Sequence, residues 1–485
     1  MKKILKMNSK LLFVVVLVFI FLLEGCKVGP KYRKPVSKID STAVYRFDSL
    51  KVAQTDSLIN IKWWEMFDDP VLEELIKIGL AENQDLLIAS SRIDQAKALL
   101  GMSRADLWPK FGYNGSATRG NLIAGQPNPD LSTSNLFTGF GTINWELDFW
   151  GKFRRANEAA KGELLASEFG KRSVQIGLIS QIATTYYQLL DFKWRLYISQ
   201  KTLELRDKSL FIVSERYKNG IVPEIDLNQS QIQRAIAAAA VPFFERSIAQ
   251  TENALAVILG RVPQAIQLGK ALNTQNMPPD IPVGLPSLLL TRRPDIMQTE
   301  YLVQAQNARI GVAVAQRFPS ISLTGFLGLA STDISDFTSN PTAYAGAVNI
   351  LGPLFEFGKN KRRVDVERYK TEQAILQYEK TVITAFKEVE DALVAISTLK
   401  NELEARKSHV KAAENAQYLS SERYDKGVTS YLELIESQRQ AFEASLGLSE
   451  ATQKLFSAYI FLYKALGGGW ISEDEMIQAA QAQEN

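Results

Sequence analysis

The residues whose types and spacing could do chemistry are few, and their pattern favours placed charge over catalysis. The chain has one histidine, His409, and one cysteine, Cys26, so no histidine-based triad and no His/Cys zinc cluster can form within one copy. Gly352 to Lys359 has one residue too many between its glycines for a phosphate loop and lacks the following Ser or Thr. No methionine cluster points to soft-metal handling. No catalytic residue, metal or cofactor is therefore expected, and the chain reads as a non-enzyme. Glu433 and Glu436 have a more informative spacing, three apart at the start of a predicted helix and hence on one face. Carboxylates there also suit the positive end of the helix dipole.

Cys26 has a different explanation. Lys2, Lys3, Lys6 and Lys10 precede the apolar run Leu11 to Leu23, which is too short for a comfortable membrane span and reads as a secretory signal over 1–25. A lone cysteine straight after Leu23-Glu24-Gly25 is similar to a bacterial lipoprotein cleavage site, so a covalent lipid such as palmitate is expected on Cys26. The signal carries four lysines and one glutamate of a chain whose net charge is only +3, so the mature protein is near neutral and nucleic acid is not an expected partner. With 46% hydrophobic residues, there is no compositional sign of global disorder.

The carboxylates sit beside two long helical runs, 152–218 and 359–426. Ile182, Leu189, Leu196, Leu203, Leu210 and Tyr217 fall at seven-residue steps in the first, as do Ile375, Val382, Val389, Ile396, Leu403 and Val410 in the second. Each run would be roughly 100 Å long at about 1.5 Å per residue. The runs are copies. Glu215-Arg216-Tyr217 to Gly220 recurs as Glu422-Arg423-Tyr424 to Gly427, Ile225-Asp226-Leu227 as Leu432-Glu433-Leu434, and Leu259-Gly260 as Leu466-Gly467, all about 207 residues apart. That spacing is far longer than a solenoid or propeller unit. It marks a duplicated domain. Return helices are predicted over 225–259 and 431–466, with Pro242 expected to bend the first.

Before each long run the period changes. Ile143, Trp145, Leu147 and Phe149 alternate with Thr142, Asn144, Glu146 and Asp148, which predicts a two-faced strand. Residues 111–119 predict its partner, and Ile321 to Leu329 with Tyr344 to Ile350 predict the second pair. Strands of about ten residues with one apolar face suit a membrane barrel. Four of them cannot close one without leaving backbone groups unpaired in the bilayer, and even about eight leave an interior just wide enough for side chains. An open pore therefore requires several chains.

Taken in order, the segments resemble the outer-membrane efflux factors of the TolC type, in the lipoprotein branch paired with resistance–nodulation–division pumps. The resemblance rests on Cys26 with Val28-Gly29-Pro30, Trp63-Trp64 with Phe67 and Asp69-Pro70, and Asn83 to Ala98 with Arg92-Ile93. It continues through Leu285-Pro286-Ser287, Arg292-Arg293-Pro294-Asp295-Ile296, Ala308-Arg309-Ile310-Gly311, Phe318-Pro319, Gly352-Pro353-Leu354-Phe355 and the two Arg-Tyr-x-x-Gly turns. It implies a mixed α/β membrane protein, a homotrimeric α/β barrel with four β-strands per protomer. The twelve-stranded outer-membrane barrel would be continuous with long coiled-coil helical hairpins forming a twelve-helix periplasmic tunnel. Its expected layout is a signal (1–25), a lipidated extended segment (26–62), a first repeat (63–270), a linker (271–293), a second repeat (294–470) and a polar tail (471–485).

The resemblance also implies a passive exit duct for small toxic compounds, lipid-anchored in the outer membrane of a Gram-negative bacterium. Its partners would be a periplasmic adaptor and an inner-membrane transporter. Glu433 and Glu436 occupy the positions of the family's acidic rings at the periplasmic constriction, where they would favour cations. Repulsion there is tolerable, roughly 1 kcal/mol per pair at about 8 Å and an effective dielectric of about 40. Tyr424 and Asp226 match the gate latches, while Thr429 stands where better-known members have an arginine able to bind such an aspartate. Arg216, Tyr217 and Gly220, with Arg423, Tyr424 and Gly427, mark the turns expected to contact the adaptor. Two alternatives remain open, a type I secretion-like protein exit duct and a non-channel coiled-coil structural lipoprotein. The lipoprotein start and Arg292-Arg293-Pro294-Asp295 favour small-molecule efflux.

Overall fold

The computed structural model describes residues 27–35, 45–46, 63–120, 122–123, 126–127, 133–279, 289–339 and 342–468. The signal, Cys26, most of the 26–62 segment, residues 280–288 of the inter-repeat linker and the polar tail lie outside the described residues. Helices α1 (Pro70–Glu82) and α2 (Gln84–Ala105) lead to strands β1 (Lys110–Gly120) and β2 (Ser134–Leu147), then to α3 (Lys152–Lys218) and α4 (Glu224–Ile258). The second copy repeats this as α5 (Pro294–Ala315), β3 (Ser320–Ser331), β4 (Ala343–Leu351), α6 (Lys359–Asp425) and α7 (Tyr431–Ala465). Both long helices have 67 residues and both return helices 35, and α4 continues unbroken through Pro242. No described helix is long and apolar enough to cross a membrane.

The chain divides into two compact units. The first comprises residues 1–36, 92–168 and 298–379. Its four strands form one antiparallel sheet in the order β1–β2–β3–β4, so β1 and β4 are both edges within one chain. Phe140 and Phe326 pack across β2 and β3 with ring centroids 4.8 Å apart. The sheet is anchored at its base by indole donors: Trp145 Nε1 donates to the Leu107 carbonyl at 2.9 Å, and Trp150 Nε1 to the Pro319 carbonyl at 2.8 Å.

The second unit comprises 37–91, 169–297 and 380–485. Its aromatic core explains the Trp63-Trp64…Phe67 motif. Trp63 stacks on Tyr463 (5.3 Å, 10°), Tyr187 on Phe456 (4.3 Å, 6°), and Phe67 lies between them fully buried. Asp69 caps α1 by accepting from Val71 N (3.0 Å) and Leu72 N (3.3 Å), with Pro70 in the first turn. The duplication survives in side-chain bonds. Asn83 Nδ2 donates to the Ile258 carbonyl (2.7 Å) near the end of α4, and Arg293 Nη1 donates to the Ala465 carbonyl (2.9 Å) at the matching position of α7.

In the long helices the seven-residue stripes are only half of the packed seam. Ile182, Leu189, Val382, Val389, Ile396 and Leu403 are buried, but Tyr217 is exposed. The complementary seam is buried through Ser199, Arg206 and Val213 in α3, and through Tyr378, Ala385, Ala392, Ala413 and Ser420 in α6. These residues sit three positions further on, so the buried seam follows both apolar positions of the seven-residue repeat.

Candidate functional site

Both hairpin tips belong to the second unit, and each ends in the same backbone device. At the first, Gly220 (φ +72°) donates its N–H to the Tyr217 carbonyl and Ile221 donates to Arg216; at the second, Gly427 (φ +73°) donates to Tyr424 and Val428 to Arg423. These are paired C-cap bonds with a left-handed glycine, so Gly220 and Gly427 are first of all helix terminators. Beyond the turns, Ile221 and Val428 are exposed, as are Ile225 and Leu432 one turn further on. These two positions match between repeats.

A small core joins the tips. Val213, Tyr431, Leu434 and Ile435 are buried together, with Val222, Leu227 and Tyr424 packed against them. Tyr424 meets Tyr431 with centroids 5.3 Å apart, and the Arg216 guanidinium lies over the Tyr424 ring at 5.2 Å. Burial of the Tyr424 hydroxyl pushes its pKa up, against the opposing pull of the Arg216 guanidinium beside it. Asp226 lies in the first turn of α4; partial burial raises its pKa, and no hydrogen bond or ion pair engages its carboxylate among the described residues. Arg216, Tyr424 and Asp226 are thus brought together, while Tyr217 points to an exposed face.

The carboxylates of α7 are not bare. Ser430 caps the helix by accepting from Glu433 N at 3.4 Å, and Glu433 lies in the first turn. Its carboxylate accepts from the Thr429 hydroxyl and pairs with Arg423 Nε at 3.3 Å. Thr429 therefore bonds to Glu433, and a cation reaches that carboxylate from the end of α6. Glu436 lies beyond the first turn, so the dipole reaches it less than expected. Arg439 grips it through Nη2 (2.6 Å) and Nε (2.9 Å), and Gln440 adds a third bond at 2.8 Å. Those hydrogen bonds draw the Glu436 pKa down to about 2. Arg439 Nη1 also reaches both Glu443 oxygens at 2.8 Å.

Sequence reading missed Arg439, although Glu436, Arg439 and Glu443 stand at helical i,i+3 and i,i+4 spacings. It also missed the Ser430-x-x-Glu433 capping signature.

In the first unit the segment following Cys26 is fastened in place. Arg155, almost wholly buried, donates from Nε to the Val28 carbonyl (3.0 Å) and from Nη2 to the Gly29 carbonyl (3.2 Å). Lys27 pairs with Glu158 at 2.7 Å. Gly29 (φ +95°) runs so close to Gly311 that a Cβ at residue 29 would lie 2.5 Å from the Gly311 Cα. That contact accounts for glycine in the Val28-Gly29-Pro30 motif, while glycine at 311 leaves room for the Arg155 side chain, whose Nε would lie 2.7 Å from a Cβ there.

Two repeats, each a strand pair leading into a long helical hairpin, define the architecture, and no group of His, Cys, Asp or Glu that could hold a metal ion occurs among the described residues. The family model for outer membrane efflux proteins matches residues 75–261 and 285–468, and the chain belongs to that family. It is 32% identical over 464 residues to the probable efflux pump outer membrane protein TtgC of Pseudomonas putida, covering 93% of this chain and 94% of the relative. It is 30% identical to the cation efflux system protein CusC of Escherichia coli, covering 92% and 96%, and 30% identical to the probable outer membrane lipoprotein SilC of Salmonella typhimurium, covering 93% and 97%. Among solved structures, CusC superposes with a TM-score of 0.80 at 28% identity, over 91% of this chain and 100% of that one. The Campylobacter jejuni channel CmeC gives 0.84 at 26% identity, over 94% and 98%. The protein is an outer-membrane efflux channel and not an enzyme.

Proposed function

We propose that three copies assemble into a twelve-stranded barrel and a twelve-helix tunnel, the exit duct through which an efflux pump discharges small toxic compounds. The observation that carries this reading is the open four-stranded sheet, whose edges β1 and β4 have no partner among the described residues. Unpaired edge groups in hydrocarbon cost several kcal/mol each, so pairing β4 of one copy with β1 of the next is the economical closure. The constriction lies at Glu433 and Glu436. Asp226, Tyr424 and Thr429 form the latch around it, with Arg216 seated on Tyr424 in the same cluster.

The turns bearing Arg216, Tyr217, Gly220, Arg423, Tyr424 and Gly427 dock a periplasmic adaptor, which links the duct to a resistance–nodulation–division transporter. The exposed pairs Ile221/Ile225 and Val428/Leu432 support that role, since both tips offer apolar residues at matching positions. Cys26 carries the lipid, and the Arg155 clamp on Val28 and Gly29 supports this by holding the chain immediately after it. The likeness to SilC, named an outer membrane lipoprotein, agrees.

The test is the assembly itself. Detergent-purified full-length protein should migrate as a heat-sensitive trimer and conduct in planar bilayers, and Cys26→Ala should abolish palmitate incorporation. A water-soluble monomer without current would overturn the assembly; unchanged acylation in the variant would overturn the anchor.

A further inference from the structure

The face of α7 that carries Glu433 and Glu436 also carries its own cations, and the duplication shows which charges belong together. About 207 residues earlier, the counterparts of Glu433, Glu436, Arg439 and Glu443 are Asp226, Gln229, Ile232 and Ile236. Ile232 and Ile236 are exposed, 56% and 47%, so the same helix face looks outward in both repeats of an isolated chain. In the second repeat the acid at 436 and the base at 439 are present together; in the first, both positions are uncharged. In the structure the two form a forked pair, at 2.6 and 2.9 Å. Glu433 has a second base, Arg423, at 3.3 Å.

We propose that Arg439 is a specificity-determining residue of the conduit, balancing Glu436 so that the constriction passes uncharged, anionic and cationic solutes with little preference for sign. This rests on the constriction being at Glu433 and Glu436, as proposed above. The argument does not need a strong bond. An exposed ion pair contributes little to stability, and the fork can open. But residues three apart on a helix hold their Cβ atoms about 5–6 Å from one another, inside the Debye length of about 8 Å at physiological salt. A passing ion therefore meets acid and base together in either rotamer. Glu443 shares the same guanidinium and leaves a residual negative charge on each copy, which gives a weak cation preference and not a filter.

The test is the reversal potential of the full-length channel in planar bilayers under a potassium chloride gradient, with spermidine as a trivalent cationic probe. The unmodified protein should show a cation-to-anion permeability ratio within about threefold of unity and weak spermidine block. Arg439→Gln leaves Glu436 and Glu443 of every copy unbalanced, six carboxylates in the assembly in place of a residual three, and with the Glu436 side chains about 8 Å apart at an effective dielectric of about 40 this should, after screening, raise the ratio about fivefold. Spermidine should then block. Arg439→Lys should behave as the unmodified protein, and Glu436→Gln combined with Arg439→Gln should return to it. If Glu436→Gln moves the ratio and Arg439→Gln does not, the balancing role is wrong while the constriction stands. If neither of these nor Glu433→Gln with Glu436→Gln changes ratio or conductance, the constriction is elsewhere and both readings fall.

Discussion

Replacing Asp69 should expose how much of the helical unit hangs on one buried carboxylate. Asp69 is 1% exposed; it caps α1 twice, accepts from the Tyr186 phenol at 2.7 Å and from Gln275 Nε2 at 2.8 Å. The phenol in turn accepts from Gly269 N at 3.2 Å, so one cluster ties α1, α3 and the segment after α4. Asp69→Ala removes the cap, worth about 1 kcal/mol. It also strips the acceptor from the fully buried Tyr186 hydroxyl, which costs about 1–3 kcal/mol. The expected loss is about 2–4 kcal/mol, with Asp69→Asn costing less because one amide oxygen can still accept. Tyr186→Phe should cost about 1–2 kcal/mol through its charge-assisted bond. The double variant Asp69→Ala/Tyr186→Phe should cost less than the sum by about 1–2 kcal/mol, since the orphaned hydroxyl is gone. Thermal unfolding of detergent-purified protein, followed by near-ultraviolet dichroism, reads all four. Additive effects, or equal losses for Asp69→Ala and Asp69→Asn, would refute the reasoning.

Two further outcomes follow from the same helical unit. Asp226→Ala removes a partly buried carboxylate beside Tyr424 and should raise single-channel conductance or antibiotic sensitivity; unchanged conductance in planar bilayers would count against its place in the latch. Asp191 is buried between α3 and α7, where burial raises its pKa above the ordinary 3.8 despite the Ser449 hydroxyl and Arg195. A raised folded pKa means stability present below the unfolded value and lost as pH rises through the folded one. Asp191→Asn should therefore match or exceed the parent in thermal stability at pH 7 and lose that advantage below 3.8; a variant less stable at pH 7 would show that the ionised form is favoured.

Much of this was legible because the informative signals are local and periodic. The change from alternation to seven-residue steps near residue 150 placed the strands and long helices within a few residues, since β2 ends at Leu147 and α3 starts at Lys152. What stayed hidden depends on neighbours that sequence does not rank. Ser199 and Arg206 are polar, so a search for apolar steps passes over half of the α3 seam; only packing shows that Arg206 is 5% exposed. Likewise Glu436 reads as a free acid at a helix start until Arg439 is seen gripping it. The roles of Gly29 and Gly311 were beyond reach from either motif alone, because Gly29 is required by the Gly311 backbone and Gly311 by the Arg155 side chain, neighbours that only the fold supplies.

The two repeats also show which features the architecture demands and which it leaves free. Backbone devices are kept in both: the left-handed glycine turns at 220 and 427, and the donor bonds from Asn83 and Arg293 to matching helix-end carbonyls. These satisfy groups that every such hairpin leaves open, so drift there would be costly. Side chains on the return helices have diverged. The counterpart of Pro242 is Ser449, whose hydroxyl donates to the buried Asp191; the counterpart of Asp191 is Thr398, whose hydroxyl donates back to its own helix at Val394 and Ala395. At the tips, Gln229 and Ile232 stand against Glu436 and Arg439. Polar coupling has thus accumulated on α7 while the matching face of α4 stayed apolar. In the proposed trimer, the acid–base pairs of α7 would alternate around the tunnel with the uncharged Gln229 and Ile232 of α4, and Asp226 would be the charged group that the first hairpin brings to the latch.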